Sequence, residues 1–432
     1  MNILRQGRIL LVLAILPGVG LCADSLPEPL TFEAALDTAR NSAHFELVEI
    51  DQRLQALNAE IGIEGGNRDF RLDLTGRLRE VGPSAAAPDD EDGGDNAASL
   101  ILSKPLYDFG QQDSREGRIV QQLQALELQK RLLIEQRRLA IMEKYFAVLD
   151  ADNRFLSENE ALAIGYIRYD NARQDQALGA TAEIEVLRLQ ADYETIRSKR
   201  NLAEQQQRLM RSILAEAMGY PGQLASELEI PSIDSTRMLP DDYQALVSRA
   251  LQYSLEALVA LANTRAAHAG IKIAESANGP SLDLELELST YERDTRTRDD
   301  WRAGLYIEIP LYRGSSAATL NLASAHYQRS LAQQQQLQSH LRIEVLRLWQ
   351  QLQQLQLEIQ GRAIEQDYRD RYLDRSRAEY ELEFKTDLGD SMVLYSRSNS
   401  NRLRALYAFE LAYQRLAALV GIEYLEALAA SE

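Results

Sequence analysis

Apolar residues return every three or four positions along a proline-free stretch of roughly seventy residues, from Leu106 to Gly179. This spacing, in a segment rich in Leu, Gln, Arg, Glu and Ala, predicts one long helix. At a rise of about 1.5 Å per residue, such a helix is about 100 Å long, which exceeds the depth of an ordinary globular core. The chain is therefore expected to have a function that requires length.

Shorter helical patterns flank this stretch. One begins at the N-cap Thr31 and is expected to continue as a single helix to Gly65 and Gly66. After Gly179 the chain is expected to turn and to return as a second helix that ends at Met218.

In four segments the hydrophobic period changes from helical to two, which predicts strands near 70–80, 98–105, 281–290 and 301–310. Each segment has about the length of a strand that crosses a bilayer at a tilt. The alternative is a half-buried antiparallel sheet in a soluble protein, because such a sheet has the same alternation.

The order of helical and strand segments occurs twice along the chain. The helix start at Thr31–Leu36 has a counterpart about 211 residues later at Asp242–Val247, and Pro105–Gly110 resembles Pro310–Gly314. This duplication predicts a first repeat over 24–219, a linker over 220–240 and a second repeat over 241–432. Each repeat consists of a helix, a β-hairpin, a long helix and a further helix, with hairpins near 70–105 and 281–310.

The first residues have the features of an export signal over 1–23. Arg5 and Arg8 precede a short apolar run, and Ala23 provides a small residue at the expected cleavage site. Lipidation of Cys22 is the alternative, although Leu21 stands where lipoprotein processing usually requires Gly or Ala. Cleavage after Ala23 leaves no cysteine and therefore no disulfide or thiol chemistry.

Loss of the signal changes the net charge from −18 to about −20, which disfavours nucleic acid as a partner. After the signal, no apolar run is long enough for a transmembrane helix, so membrane insertion is expected only through strands.

Four strands cannot form a closed barrel, and open strand edges are not tolerated in lipid. Several chains must therefore contribute strands; three chains would provide about twelve, and the sequence permits other multiples. A heptad seam supports helices packed against neighbours. It consists of Leu341, Val345, Leu348, Leu352, Leu355 and Ile359.

Five short segments, in order on this duplicated frame, resemble the TolC-type outer-membrane efflux proteins along essentially the whole mature length. They are Leu30–Leu36, Lys104–Gly110, Gly179–Val186, Ile309–Gly314 and Leu416–Gly421.

This resemblance implies a mostly α-helical, internally duplicated fold with a membrane β-barrel. Three chains would build a twelve-stranded barrel in the outer membrane and a long α-helical barrel in the periplasm. The implied partners are outer-membrane lipid, two further copies of the chain, a periplasmic adaptor and an inner-membrane transporter. The implied function is passive conduction of substrates outward, with no cofactor.

By the same resemblance, the helical tips are candidates for adaptor docking and for the periplasmic aperture. The docking candidates are Gly179, Thr181, Glu185, Thr386 and Gly389, and the aperture candidates are Asp387 and Asp390. The alternatives are that both glycines only permit a turn and that both aspartates only cap a helix. The second tip departs from the family pattern, since Glu383 stands where Gly is usual and Gly389 where Asp is usual.

Polar side chains on the predicted strands are candidates for the barrel lumen, where acidic and basic strands are expected to neutralise each other in part. They are Arg71, Arg77, Asp283, Glu285, Glu287 and Glu308.

Catalytic and metal-binding patterns are missing from the sequence. The four histidines form no i,i+4 pair, and no phosphate-binding loop, nucleophile elbow or CxxC motif occurs. The chain is therefore expected not to be an enzyme. The competing function is a periplasmic coiled-coil adaptor or scaffold without a pore.

Overall fold

This computed structural model describes residues 27–82, 93–223, 227–237, 239–240, 242–293, 298–382 and 388–431. The expected signal segment, Cys22, Thr386 and Asp387 lie outside the described residues. The helices are α1 (Phe32–Asp37), α2 (Phe45–Gly66), α3 (Gln111–Ala177), α4 (Glu183–Met218), α5 (Tyr243–Tyr253), α6 (Leu255–Ser276), α7 (Ser316–Glu381), α8 (Leu388–Val420) and α9 (Ile422–Ser431).

Two helices are exceptionally long: α3 has 67 residues and α7 has 66. Each therefore extends over about 100 Å. They pack in antiparallel pairs, α3 with α4 and α7 with α8, and α6 packs between α3 and α7. The order of elements in the first half, two short helices, a hairpin, a long helix and a return helix, recurs in the second half.

The strands are β1 (Arg71–Arg77), β2 (Glu80–Val81), β3 (Gly93–Gly94), β4 (Ala97–Tyr107), β5 (Ser281–Tyr291) and β6 (Trp301–Glu308). Four of them form one antiparallel sheet in the order β1-β4-β5-β6, and β2 pairs with β3 in a small extension. The two halves of the chain therefore meet at the β4–β5 pair, which leaves β1 and β6 as the edges of the described sheet.

The expected single helix from Thr31 to Gly66 is wrong. α1 ends in a 3-10 turn at Arg40, and α2 starts only at Phe45. The side chain of Asn41 accepts from the backbone N–H of Ala43 at 3.0 Å, so it competes with the helical hydrogen bonds. The second half breaks in the same way at Ser254, which ends α5 and caps α6 with its hydroxyl.

The turn from β4 into α3 explains the Asp108-Phe109-Gly110 motif. Both carboxylate oxygens of Asp108 accept backbone N–H groups, from Gly110 at 3.1 Å and from Gln112 at 2.6 Å. Phe109 and Gly110 have φ of 53° and 84°, and glycine adopts such a left-handed conformation without a steric penalty. The motif thus redirects the chain from the sheet into the long helix.

Two main apolar clusters hold the helices together. One joins α5, α7 and α8, and it contains the whole predicted heptad seam from Leu341 to Ile359, which is buried as expected. The other packs α1 and Leu30 against α3 and α4 around Tyr145. The Tyr145 hydroxyl lies 2.9 Å from the Leu30 carbonyl oxygen and 2.7 Å from that of Glu229, which share its single proton, and so joins the segment before α1 to the linker.

No single helix in the described part of the chain is long and apolar enough to cross a bilayer. The bent pair Tyr243–Tyr253 and Leu255–Ser276, at 41°, satisfies the length and composition criteria only as a pair.

Candidate functional site

The four-stranded sheet has one apolar face and one polar face. Cross-strand pairing places Leu74, Leu100, Leu288 and Trp301 in one row across all four strands. Partners in an antiparallel pair lie on the same face, so this row and its neighbours form a continuous apolar surface. Much of that surface is exposed in the single chain; Leu74, for example, is 78% exposed.

All six predicted lumen residues lie on the opposite, polar face, because they occupy the alternate positions of the same register. These are Arg71, Arg77, Asp283, Glu285, Glu287 and Glu308. Sequence reasoning missed another charged member of this face, Arg302, which pairs with Glu287.

In the single chain, two charges of this face are paired with near neighbours. Glu287 receives Arg302 from the adjacent strand, and the Ser289 hydroxyl donates to it at 2.7 Å. Arg71 donates to Asp73 on its own strand at 2.8 Å. Of the described residues, none forms an ion pair with Asp283 or Glu285, so the polar face keeps a local excess of negative charge on β5.

At the end of the sheet that is remote from the helices, Asp95 connects the segment after β1 with the segment before β6. It is 1% exposed, accepts from Arg79 Nε at 2.5 Å and lies 2.7 Å from Arg298 Nη2. The bond from Arg79, and then that from Arg298, keep the pKa of Asp95 below its ordinary value. No sequence signal indicates this role, because Asp95 follows a run of acidic residues typical of a solvated loop.

The first helical tip has the expected form. α3 ends at Ala177, and Gly179 just beyond it has φ 77°. The backbone N–H groups of Gly179 and Ala180 donate to the carbonyls of Gln176 and Asp175 at 2.9 and 2.8 Å. This is a Schellman motif, which requires a left-handed residue. Thr181 lies in the same turn, and Glu185 pairs with Arg188 of its own helix at 2.6 Å.

The second tip lies near Gly389, as expected, but Gly389 is not part of the turn. The described part of α8 already begins at Leu388, so Gly389 is a helix residue, and α7 ends at Glu381. A Cβ atom on Gly389 would lie 2.7 Å from Cγ2 of Ile164 in α3. Gly389 therefore permits close packing of two helices and does not form the turn.

Asp390, an aperture candidate, forms an ion pair with Arg168 of α3 at 2.7 Å. Arg168 precedes Gly179 by eleven residues, a distance of about 16 Å along the helix. The structure therefore does not bring Asp390 together with the docking candidates of the first tip. Sequence reasoning missed Arg168 because nothing in a one-dimensional pattern indicates which long helix lies beside α8.

The Asp390 pair is the last of a series of ion pairs along the seam between α3 and α8. The others are Glu143–Arg415 at 2.8 Å, Asp150–Arg404 at 2.8 Å and Glu158–Arg397 at 3.8 Å. In these three the acid lies on α3 and the arginine on α8, whereas at the tip the signs are reversed. The seam also contains the stacked rings of Phe146 and Tyr407, 4.8 Å apart.

Arg137 forms a buried polar centre where α1, α2, α3 and α4 meet. It donates to His44 Nδ1 at 2.5 Å, to Glu46 at 2.8 Å and to the Ala39 carbonyl at 3.2 Å. Burial, followed by the charge of Arg137, lowers the pKa of His44. The side chains of the described residues include no group of three or more His, Cys, Asp or Glu that could hold a metal ion.

The helices at the two edges of the chain expose apolar side chains at helical spacing. On α7, Ile343, Leu357 and Ile364 are spaced in multiples of seven and each is at least 66% exposed. On α4, Leu202 and Leu209 are seven residues apart and each is at least 51% exposed. Such stripes are typical of helices that pack against a neighbouring helix.

Comparison with known proteins identifies this architecture. No family model matches the chain. The outer membrane protein TolC of Vibrio cholerae serotype O1 is 25% identical over 194 residues, which is 42% of this chain and 43% of TolC. The aligned segment thus spans less than half of that relative.

Solved structures match over nearly the whole chain. The outer membrane protein VceC of Vibrio cholerae is 19% identical, with a TM-score of 0.69 over 90% of this chain and 96% of VceC. The CmeC outer membrane channel of Campylobacter jejuni is 15% identical, with a TM-score of 0.73 over 90% of this chain and 85% of CmeC.

This is the fold of the TolC-type outer-membrane channels. The expected resemblance and the expected fold class are therefore confirmed for the single chain. The similar proteins are described as outer-membrane proteins and channels, and the expected outer-membrane location of this chain accords with that description. The threefold assembly and the limits of the two repeats stay predictions.

Proposed function

We propose that three copies of this chain form an outer-membrane channel that passively conducts substrates to the cell exterior. The substrates would be delivered by a tripartite efflux pump or a type I secretion pump. The observation that carries this proposal is the sheet formed by the described residues, which has one apolar face, one polar face and, among those residues, two unpaired edges, β1 and β6. An open sheet of this kind is excluded from lipid unless its edges are paired.

In a closed barrel, strands of neighbouring copies would pair with both edges of the sheet. Three sheets of four strands give a barrel of twelve strands, which is wider than the eight-stranded barrels whose interior is filled by side chains. The apolar face would then contact lipid, and the face with Arg71 and Glu285 would line a polar lumen. The exposed stripes on α7 and α4 support the same ring in the periplasm, because they lie at opposite edges of the helical layer.

The helical tips are the proposed sites of docking and closure. Leu178 is 82% exposed beside Gly179, and Leu382 is 67% exposed at the end of α7. Exposed apolar side chains at the end of a hairpin are suited to a partner, which we propose is a periplasmic adaptor that links the channel to an inner-membrane transporter. We propose Asp390, held by Arg168, as part of the periplasmic aperture, and Asp387 remains a candidate from the sequence.

A matched pair of variants on β4 tests the channel. Leu102 and Ile101 are half-buried neighbours at the middle of the strand; Leu102 pairs with Leu286 on the apolar face, and Ile101 pairs with Glu287 on the polar face. An arginine at the lipid face costs about 2–4 kcal/mol at the bilayer midplane, whereas lumen substitutions alter selectivity. We expect Leu102→Arg to reduce membrane-inserted trimer and Ile101→Arg to insert and to shift the conducted current toward anions.

The measurements are alkali extraction of membranes, heat-modifiable trimer on gels and conductance in planar bilayers. The alternative, a coiled-coil adaptor or scaffold without a pore, predicts an alkali-extractable wild-type protein and no conductance. Equal insertion of both arginine variants would contradict the assignment of the two faces.

A further inference from the structure

Lys104 is an exception among the basic residues of the sheet. The arginines of the four strands, Arg71, Arg77 and Arg302, all lie on the polar face and near carboxylates, those of Asp73, Asp95 and Glu287. Lys104 pairs with Leu284 across β4 and β5 and therefore lies on the apolar face. Within the described ranges, no carboxylate lies at ion-pair distance from its ammonium group.

The position of Lys104 is close to the end of the sheet that joins the helices. Its partner Leu284 is three residues from the start of β5, or about 10 Å along the strand. The ammonium Nζ lies 4.3 Å from the ring centroid of Phe70, which precedes β1 and stands across from Lys104 if the β1–β4 register is continued by one residue. A cation is tolerated at this depth, because its cost falls from about 2–4 kcal/mol at the midplane to about 0–1 kcal/mol near the interface.

Aromatic side chains surround this end of the apolar face. A bulge after Pro105 brings Tyr107 opposite Leu282, one step beyond Lys104 on the same face. The Tyr107 and Phe109 rings are 4.5 Å apart in an edge-to-face arrangement. Aromatic rings at the boundary between hydrocarbon and headgroups are typical of membrane proteins, since one end of the ring is apolar and the other is wet.

We propose that Lys104, Phe70 and Tyr107 form a site for the phosphate group of a phospholipid in the periplasmic leaflet. The ammonium group would donate to the phosphate oxygens, while the acyl chains would lie on the apolar row through Leu102 and Leu286. Phe70 stands next to β1, an unpaired edge, so the lipid would bind beside the boundary with the next copy. This inference rests on the proposed barrel.

Native mass spectrometry of the detergent-solubilised trimer tests this site. The wild type, titrated with phosphatidylglycerol, is expected to retain one lipid per protomer and to prefer it over an uncharged, phosphate-free galactolipid. Lys104→Gln and Lys104→Met are expected to lose this preference. Arg71→Gln, which removes a cation at nearly the same height on the polar face, is expected to keep it.

Two results would overturn the site: equal retention of both lipids by the wild type, or an unchanged preference in both Lys104 variants. Displacement of the lipid by inorganic phosphate at millimolar concentration would instead indicate a site for the free ion and would also overturn it. Bilayer conductance of the same samples separates this outcome from failure of the proposed channel, because a conducting wild type without lipid preference refutes only the lipid site.

Discussion

Gly389 is a residue whose missing side chain determines how closely α8 approaches α3. A methyl group there would be 2.7 Å from Cγ2 of Ile164, and the β-branched Ile164 has little rotamer freedom in a helix. Overpacking costs about 1–3 kcal/mol, which exceeds the gain in helix propensity of about 1 kcal/mol. We therefore expect Gly389→Ala to lower the thermal unfolding midpoint of the solubilised protein.

Gly361 in α7 provides the matched control. Among the described residues, and apart from its own helix backbone, nothing lies within 4 Å of the position that an alanine methyl group would take there. Gly361→Ala is expected to raise the midpoint slightly through helix propensity alone. Adding Ile164→Ala to Gly389→Ala should remove the clash, and a double-mutant cycle measures this coupling. Purely additive effects would show that the two residues do not meet.

Protonation of His44 makes the stability of the fold depend on pH. Burial and the neighbouring Arg137 lower its pKa, although the carboxylates of Glu46 and Glu216 oppose this effect. The unfolded chain therefore binds a proton more readily than the folded chain between the folded pKa and about 6.5. The contribution of His44 to the free energy of unfolding is fully present above about pH 6.5 and is lost as the pH falls toward the folded pKa of His44. We expect the unfolding midpoint to fall over this window.

His44→Gln should reduce that loss, because it keeps a polar side chain beside Arg137 but removes the proton-binding group. The exposed His326, replaced by Gln in the same way, controls for the loss of an imidazole elsewhere on the chain. The assignment to His44 fails if the profiles of wild type and His44→Gln coincide, with midpoints followed by circular dichroism between pH 8 and pH 5.

Among the elements, the seam between α3 and α8 differs from the other helix contacts. The α7–α8 contact is built largely on a buried apolar heptad, whereas four ion pairs bridge α3 and α8. Exposed ion pairs are worth about 0.2–1 kcal/mol each and are weakened by salt. Two helical hairpins joined in this way can separate at their tips at lower cost than hairpins joined by an apolar core.

Asp390→Asn tests the tip of this seam. Loss of the pair with Arg168 removes at most about 1 kcal/mol from the closed tip, which corresponds to an open population raised by up to about fivefold. We expect larger or more frequent open-channel currents in planar bilayers. The double charge reversal Arg168→Asp with Asp390→Arg is expected to restore wild-type currents.

Arg188→Gln is the control for this experiment, because it breaks a comparable exposed pair with Glu185 within a single helix. It should leave the currents unchanged. If Asp390→Asn behaves like Arg188→Gln, Asp390 is a surface residue and not part of the aperture.

At the scale of the whole molecule, the strand edges and apolar stripes that one chain exposes are the surfaces that the proposed assembly would cover. In the described part of the chain, the sheet ends in two unpaired edges, and the helical layer ends in apolar stripes on α7 and α4. Both sets of open surfaces lie at the lateral edges, where copies around an axis would meet in a heterologous, closed ring. The insertion of Leu102→Arg and Ile101→Arg distinguishes the outside of that ring from its inside.

The sequence alone determined the elements and their faces. Period-two alternation specified which side chains share a face of the sheet, so all six predicted lumen residues lie together. The heptad from Leu341 to Ile359 is buried for the same reason: periodicity is a local property that a helix or strand converts directly into one surface.

Only the tertiary structure decided which distant residues meet. The pairs Arg168–Asp390 and Ile164–Gly389 and the bonds of Asp95 join positions far apart in the chain, and no local pattern specifies them. The break before Phe45 was missed because it depends on Asn41 and on the insertion of Arg137 from another helix. Local periodicity specifies an element, whereas the approach of two elements depends on shape and charge distributed over the whole chain.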